Sequence, residues 1–111
     1  MVDNKIRNGS EGGPPFLFGV ITMTQLFIPG QIVATQGALT LSERGENLIR
    51  YLVRHLSGDW GDLDDEDKQE NEFSLMNGFR ILSAYNTISG KLWIITEADR
   101  SVTTFLLPEE Y

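Results

Sequence analysis

Apolar residues recur along this chain in two rhythms, and each predicts a different element. From Leu39 to Leu56 the rhythm is helical: Leu48, Ile49, Leu52, Val53 and Leu56 stand one, three or four residues apart and form one stripe. Arg50 and Arg54 fall on the opposite face. Gly45 breaks the segment and ends a short first helix, and Asn47 caps the second. The last third is β-branched and strand-like. Phe79 to Thr87, Lys91 to Glu97 and Ser101 to Leu107 are joined by Ser89-Gly90 and by Ala98-Asp99-Arg100, the spacing of an antiparallel meander. Leu92 to Ile95 is apolar on both faces, which places that strand at the centre. Gln31 to Thr35 (QIVAT), between Pro29-Gly30 and Gly37, reads as one further strand. After Ser57-Gly58-Asp59-Trp60-Gly61, Asp62 is the expected cap of a short acidic helix from Leu63 to about Glu70, with Asp65 in the box position. The fold class is therefore α+β: two or three short helices packed on a small antiparallel sheet, made of the C-terminal three-stranded meander plus an N-terminal strand.

Outside these elements the pattern stops. Residues 1–15 are polar and glycine-rich without periodicity, so residues 1–22 read as a flexible N-terminal extension and 23–111 as a single α+β domain. Pro14 to Met23 is apolar behind Lys5 and Arg7, but two prolines, a glycine and no small-x-small site argue against a signal peptide. A chain of 111 residues is about one domain, and 41% hydrophobic residues suffice for a core. It has no cysteine, which excludes disulfides and thiolate metal sites and fits a cytoplasmic location. No stretch approaches the roughly 20 apolar residues of a membrane span, so no membrane association is expected.

Charge changes the picture at one place. Asp59 to Glu72 carries Asp59, Asp62, Asp64, Asp65, Glu66, Asp67, Glu70 and Glu72 against Lys68 alone, which equals the formal −7 of the whole chain. A charge of that sign repels nucleic acid, so direct nucleic-acid binding is not expected. One short cluster is also too small to mimic DNA. The run fails as a calcium loop, because Asp67 stands where glycine is required and Phe73 where the closing glutamate belongs. No metal or cofactor is implied. The remaining reading is a surface for a protein partner, possessing basic character, formed by Trp60, Asp64, Asp65 and Asp67, with Trp60 either an exposed anchor at its rim or folded back onto the helix to close the core. Apolar strands near the N-terminus leave room for a homodimer.

Candidates for catalysis are few. His55, the single histidine, is either a general acid/base beside an acidic turn or a helix-terminal residue packed beside Trp60. Arg80 and Arg100 are the candidate anion ligands, with Thr103 or Thr104 assisting. The chain has no phosphate-binding glycine loop, nucleophile elbow or zinc pattern.

PGQIVATQGAL (29–39), RHLSGDWGD (54–62), Asn71-Glu72, GFRILSAY (78–85) and WIITEADRSVTTFLLPEEY (93–111) resemble a family of small plasmid-related proteins of mobile genetic elements. Some members are labelled type I restriction endonuclease subunit M. The resemblance covers most of residues 23–111 and implies mobile-element biology. It supplies no catalytic assignment, since the cofactor-binding βαβ unit of a methyltransferase is missing. The expected function is that of an accessory protein acting by protein binding through the acidic surface. The alternative is a metal-independent ribonuclease resembling barnase and the RelE toxin, in which His55, Arg80 and Arg100 converge in one cleft on the sheet.

Overall fold

The structure, a computed structural model, describes residues 25–111. Four strands and three helices occur in the order β1 (Gln31–Ala34), α1 (Gln36–Glu43), α2 (Leu48–Leu56), α3 (Asp65–Asn77), β2 (Ile81–Thr87), β3 (Gly90–Thr96) and β4 (Val102–Leu106), followed by a 3-10 turn at Pro108–Glu110. The sheet order is β1-β4-β3-β2. The meander forms as the alternation predicts: β2 pairs antiparallel with β3 (Ser83 opposite Ile94) and β3 with β4 (Thr96 opposite Thr103). Register follows from burial, since a slip of one residue would turn Ile81, Ser83 and Tyr85 away from the core.

The N-terminal strand corrects one expectation. It joins β4 in parallel, Gln31 opposite Val102 and Ala34 opposite Phe105, so the sheet is mixed rather than antiparallel. Gln31 N–H donates to Ser101 O and Thr35 N–H to Phe105 O. Gly30 (φ +66°) makes this entry feasible, because a Cβ there would run into the backbone of Arg100 and Ser101.

Helices α1 and α2 cover one face of the sheet. Their inward residues Ala38, Leu41, Leu52 and Leu56 meet Tyr85, Leu92, Ile94 and Phe105 in one apolar cluster. Thr35 caps α1 and Asn47 caps α2, the latter as the sequence predicts. The Glu110 carboxylate accepts from the Thr35 hydroxyl and from Gly37 and Leu107 N–H, which fastens the C-terminal turn onto the start of α1.

Helix α3 is placed differently: it lies along the outer edge of β2. The Asn71 side-chain amide donates to Leu82 O, and its oxygen accepts from Leu82 N–H. Two residues on, Ala84 N–H donates to Trp60 O and Asp62 N–H to Ala84 O. The Asp62 carboxylate then accepts from Asn86 N–H (2.6 Å). Every outward backbone group of β2 from Leu82 to Asn86 N–H is thereby engaged, which closes an edge that would otherwise pair with other chains. Asp62 is consequently not the helix cap. That role falls to Asp64, whose side chain accepts from Asp67 N–H, and the helix runs on to Asn77.

Gly61 sits at φ +80° against β2, where a Cβ would be driven into Ala84 O and within 2.6 Å of the Tyr85 ring. Gly61→Ala should therefore lower the unfolding free energy by at least about 2 kcal/mol in urea titrations. A loss below about 0.5 kcal/mol would show that the edge clamp is dispensable.

Candidate functional site

His55 lies in the last turn of α2 and points into the sheet with no exposed surface. Its Nδ1 stands 2.6 Å from Ser83 Oγ and its Nε2 2.9 Å from Thr96 Oγ1. Thr96 Oγ1 lies 2.7 Å from Thr103 Oγ1, which donates to Pro29 O at 2.7 Å. Ser83, Thr96 and Thr103 are equally unexposed. The carbonyl end of this chain fixes every proton in it. Thr103 gives its hydroxyl proton to Pro29, so it accepts from Thr96. Thr96 then accepts from His55 Nε2–H, and Nδ1, left bare, accepts from Ser83. The imidazole is neutral and in a single tautomer. Burial, reinforced by the nearby Arg100 cation, pushes its pKa down to about 3. Phe27 (5.2 Å, edge-on) and Trp60 (6.1 Å) close the ring off.

His55 therefore does not line an open cleft with Arg80 and Arg100. Both of its nitrogens are occupied by Ser83 and Thr96 and none of its surface is exposed, which is the placement of a structural histidine rather than of an acid/base open to a ligand. Thr103 is consumed in the same chain. Arg100, at φ 61°, donates to the carbonyls of Ser74, Phe79, Glu97 and Ala98 and ties the β3–β4 turn to the end of α3. Arg80 alone stands in solvent, bonded to Glu97 (3.3 Å) and to the Tyr111 hydroxyl (2.6 Å). Thr104 points to the opposite face of the sheet from Thr103. Ser83 and Thr96 are the members of the buried chain that the sequence reading missed. Their signal was a small hydroxyl residue at an inward position of β2 and of β3, facing a helical histidine.

Of the two placements open to it, Trp60 takes the one that closes the core and not the exposed anchor. It is 4% exposed, stacks on Phe27 and donates its indole N–H to Glu72 (2.6 Å). The acidic run divides accordingly. Asp59 pairs with Arg54 (2.7 Å) and accepts from Gly61 N–H, and Arg54 holds its pKa below the usual carboxylate range. Asp62, Asp64 and Glu72 hold β2, the helix start and Trp60. Asp65, Glu66, Asp67 and Glu70 are exposed to solvent on α3, Asp67 on the same stripe as Asn71 and Ser74. The first three occupy the opening turn, where the helix dipole favours them. Glu66, Gln69, Glu70 and Phe73 line an open depression of about 310 Å³. Among the described residues no group of three or more acidic or histidine side chains is placed to hold a metal ion, and no helix is long and apolar enough to cross a membrane.

Comparison of the chain with protein-family models, curated proteins and solved structures found no match.

The neutral His55 makes stability pH-dependent with a defined sign. The unfolded chain takes up its imidazole proton near pH 6.5, whereas the folded chain does so only near 3. The unfolded state thus binds more protons between these values, and stability falls as the pH drops below 6.5. Between pH 6.5 and 5 the loss should be about 1.7 kcal/mol. Denaturant titrations of wild type and His55→Gln across this range check it: the variant should lack the slope, and an equal slope in both would place the titration elsewhere.

Proposed function

We propose that this chain is a cytoplasmic accessory protein of a mobile genetic element that works by binding a basic protein partner through the exposed acids of α3. The observation that carries the reading is the division of the acidic run. Asp59, Asp62, Asp64 and Glu72 are engaged in the fold, whereas Asp65, Glu66, Asp67 and Glu70 project to solvent from one helix. That helix is rigidly seated, by Asn71 on β2 and by the Trp60–Glu72 hydrogen bond. A fixed array of carboxylates on a preorganised helix steers a cationic partner and selects against anionic ones. The mobile-element setting rests on the resemblance of RHLSGDWGD and WIITEADRSVTTFLLPEEY to plasmid-related proteins. A binding role is also consistent with the burial of His55 and Thr103.

The test leaves Asp64 in place, because its removal uncaps α3. A quadruple variant, Asp65→Asn, Glu66→Gln, Asp67→Asn and Glu70→Gln, is compared with wild type in pull-downs from plasmid-bearing host lysate. Wild type should retain a basic protein that elutes between roughly 0.05 and 0.5 M salt. The variant, with an unchanged melting curve, should retain at least about tenfold less. Equal capture by both forms overturns the proposal.

A further inference from the structure

The outward stripe of α3 does not end in charge. Glu66, Gln69 and Glu70 are followed at helical spacing by Phe73 and Met76, so polar and acidic residues precede apolar ones along it. Phe73 is 56% exposed, Met76 82% and Phe79 53%. Phe73 and Phe79 stack at 5.9 Å with an interplanar angle of 8°. Phe73 on the helix and Phe79 just past its Gly78 cap thus form an exposed aromatic stack, with Met76 exposed on the last turn of a helix whose buried side is polar (Asn71, Ser74). Apolar side chains aligned on the wrong side of a helix do not contribute to this core.

We propose that Phe73, Met76 and Phe79 form a docking platform for the apolar anchor of a basic amphipathic helix whose cations lie against Glu66 and Glu70. This rests on the reading of α3 as a partner-binding face, and specifies the partner's pattern. Phe73 stands three residues from Glu70 and seven from Glu66, about 4.5 and 10.5 Å along the axis. A partner helix lying along the stripe therefore presents Leu, Met or an aromatic residue at one position, and Lys or Arg about one and two turns away on the same face. Charge selects this occupant over others. Nucleic acid and anionic lipid surfaces are repelled by Asp65, Glu66, Asp67 and Glu70. A second copy of the chain aligned in parallel would set acids against acids, and an antiparallel copy would bury them against phenylalanine without a cation.

Two fluorescein-labelled synthetic helices of about 16 residues test this, one with Leu anchors and Lys at the stated spacing, the other with each Leu replaced by Ser. Full-length wild type in anisotropy titrations should bind the Leu peptide at least about tenfold tighter than the Ser peptide. The Phe73→Ser/Phe79→Ser variant should keep the weak, salt-sensitive binding of both peptides and lose the preference. Met76→Ser, altering the most exposed member of the platform, should reduce the preference without affecting folding. Glu66→Gln/Glu70→Gln should weaken both peptides together. Retained preference in the phenylalanine variant, or none in wild type, overturns the platform while the acidic reading stands. Failure of wild type to bind either peptide overturns both. A wild-type dimer in sedimentation that the phenylalanine variant dissociates assigns the platform to a second copy and overturns the proposal.

Discussion

The hydrogen-bonded chain from Ser83 through His55, Thr96 and Thr103 to Pro29 O is the constraint on which the rest of the structure depends. It joins α2 to β2, β3 and β4 and reaches the segment that leads into β1. Each buried polar atom in it would be expensive alone, and each is satisfied by its neighbour. Apolar packing of Leu52 and Leu56 on the sheet tolerates small displacements of α2. A histidine held at 2.6 and 2.9 Å by two strands does not, and it sets the height and rotation of that helix. The same chain admits one protonation state, so structural specificity here is bound to a neutral imidazole.

Once α2 is fixed, the turn that follows it has little freedom. It carries Trp60 under His55 and lays Trp60-Gly61-Asp62 against β2, and Glu72 then draws α3 in behind the indole. Asn71 supplies to Leu82 the donor and acceptor that a neighbouring strand would have offered. The sheet thus has one edge closed by a turn and a helix. An acidic run that looks uniform in sequence is two sets of carboxylates, one holding backbone and indole donors and one facing water.

Much of this was legible where chemistry is local. The break at Gly45, the Asn47 cap, the three strands and the central place of β3 follow from spacing and turn residues within a few positions. What escaped depended on distant partners. Asp62 has the credentials of a cap, but its carboxylate is taken by Asn86, 24 residues on. The end of α3 was invisible because its buried side is Asn71 and Ser74 rather than an apolar stripe, so periodicity had nothing to mark. The direction of β1 was equally hidden, since its alternation is satisfied by either orientation. His55 invited a catalytic reading because a sequence shows a histidine without showing that Ser83 and Thr96 lie opposite it.

The buried core and the acidic helix meet at Glu72. Its carboxylate receives the Trp60 indole N–H, and Trp60 shields the ring of His55. The outward acids one turn earlier on α3 therefore inherit their position from the neutral core. A helix of such composition, polar on its buried side, would be marginal alone in water. Anchored at Asn71 and Glu72, it holds Asp65, Glu66, Asp67 and Glu70 in solvent ahead of the exposed Phe73 and Met76. In the binding role proposed above, the entropy of ordering that surface belongs to folding rather than to binding.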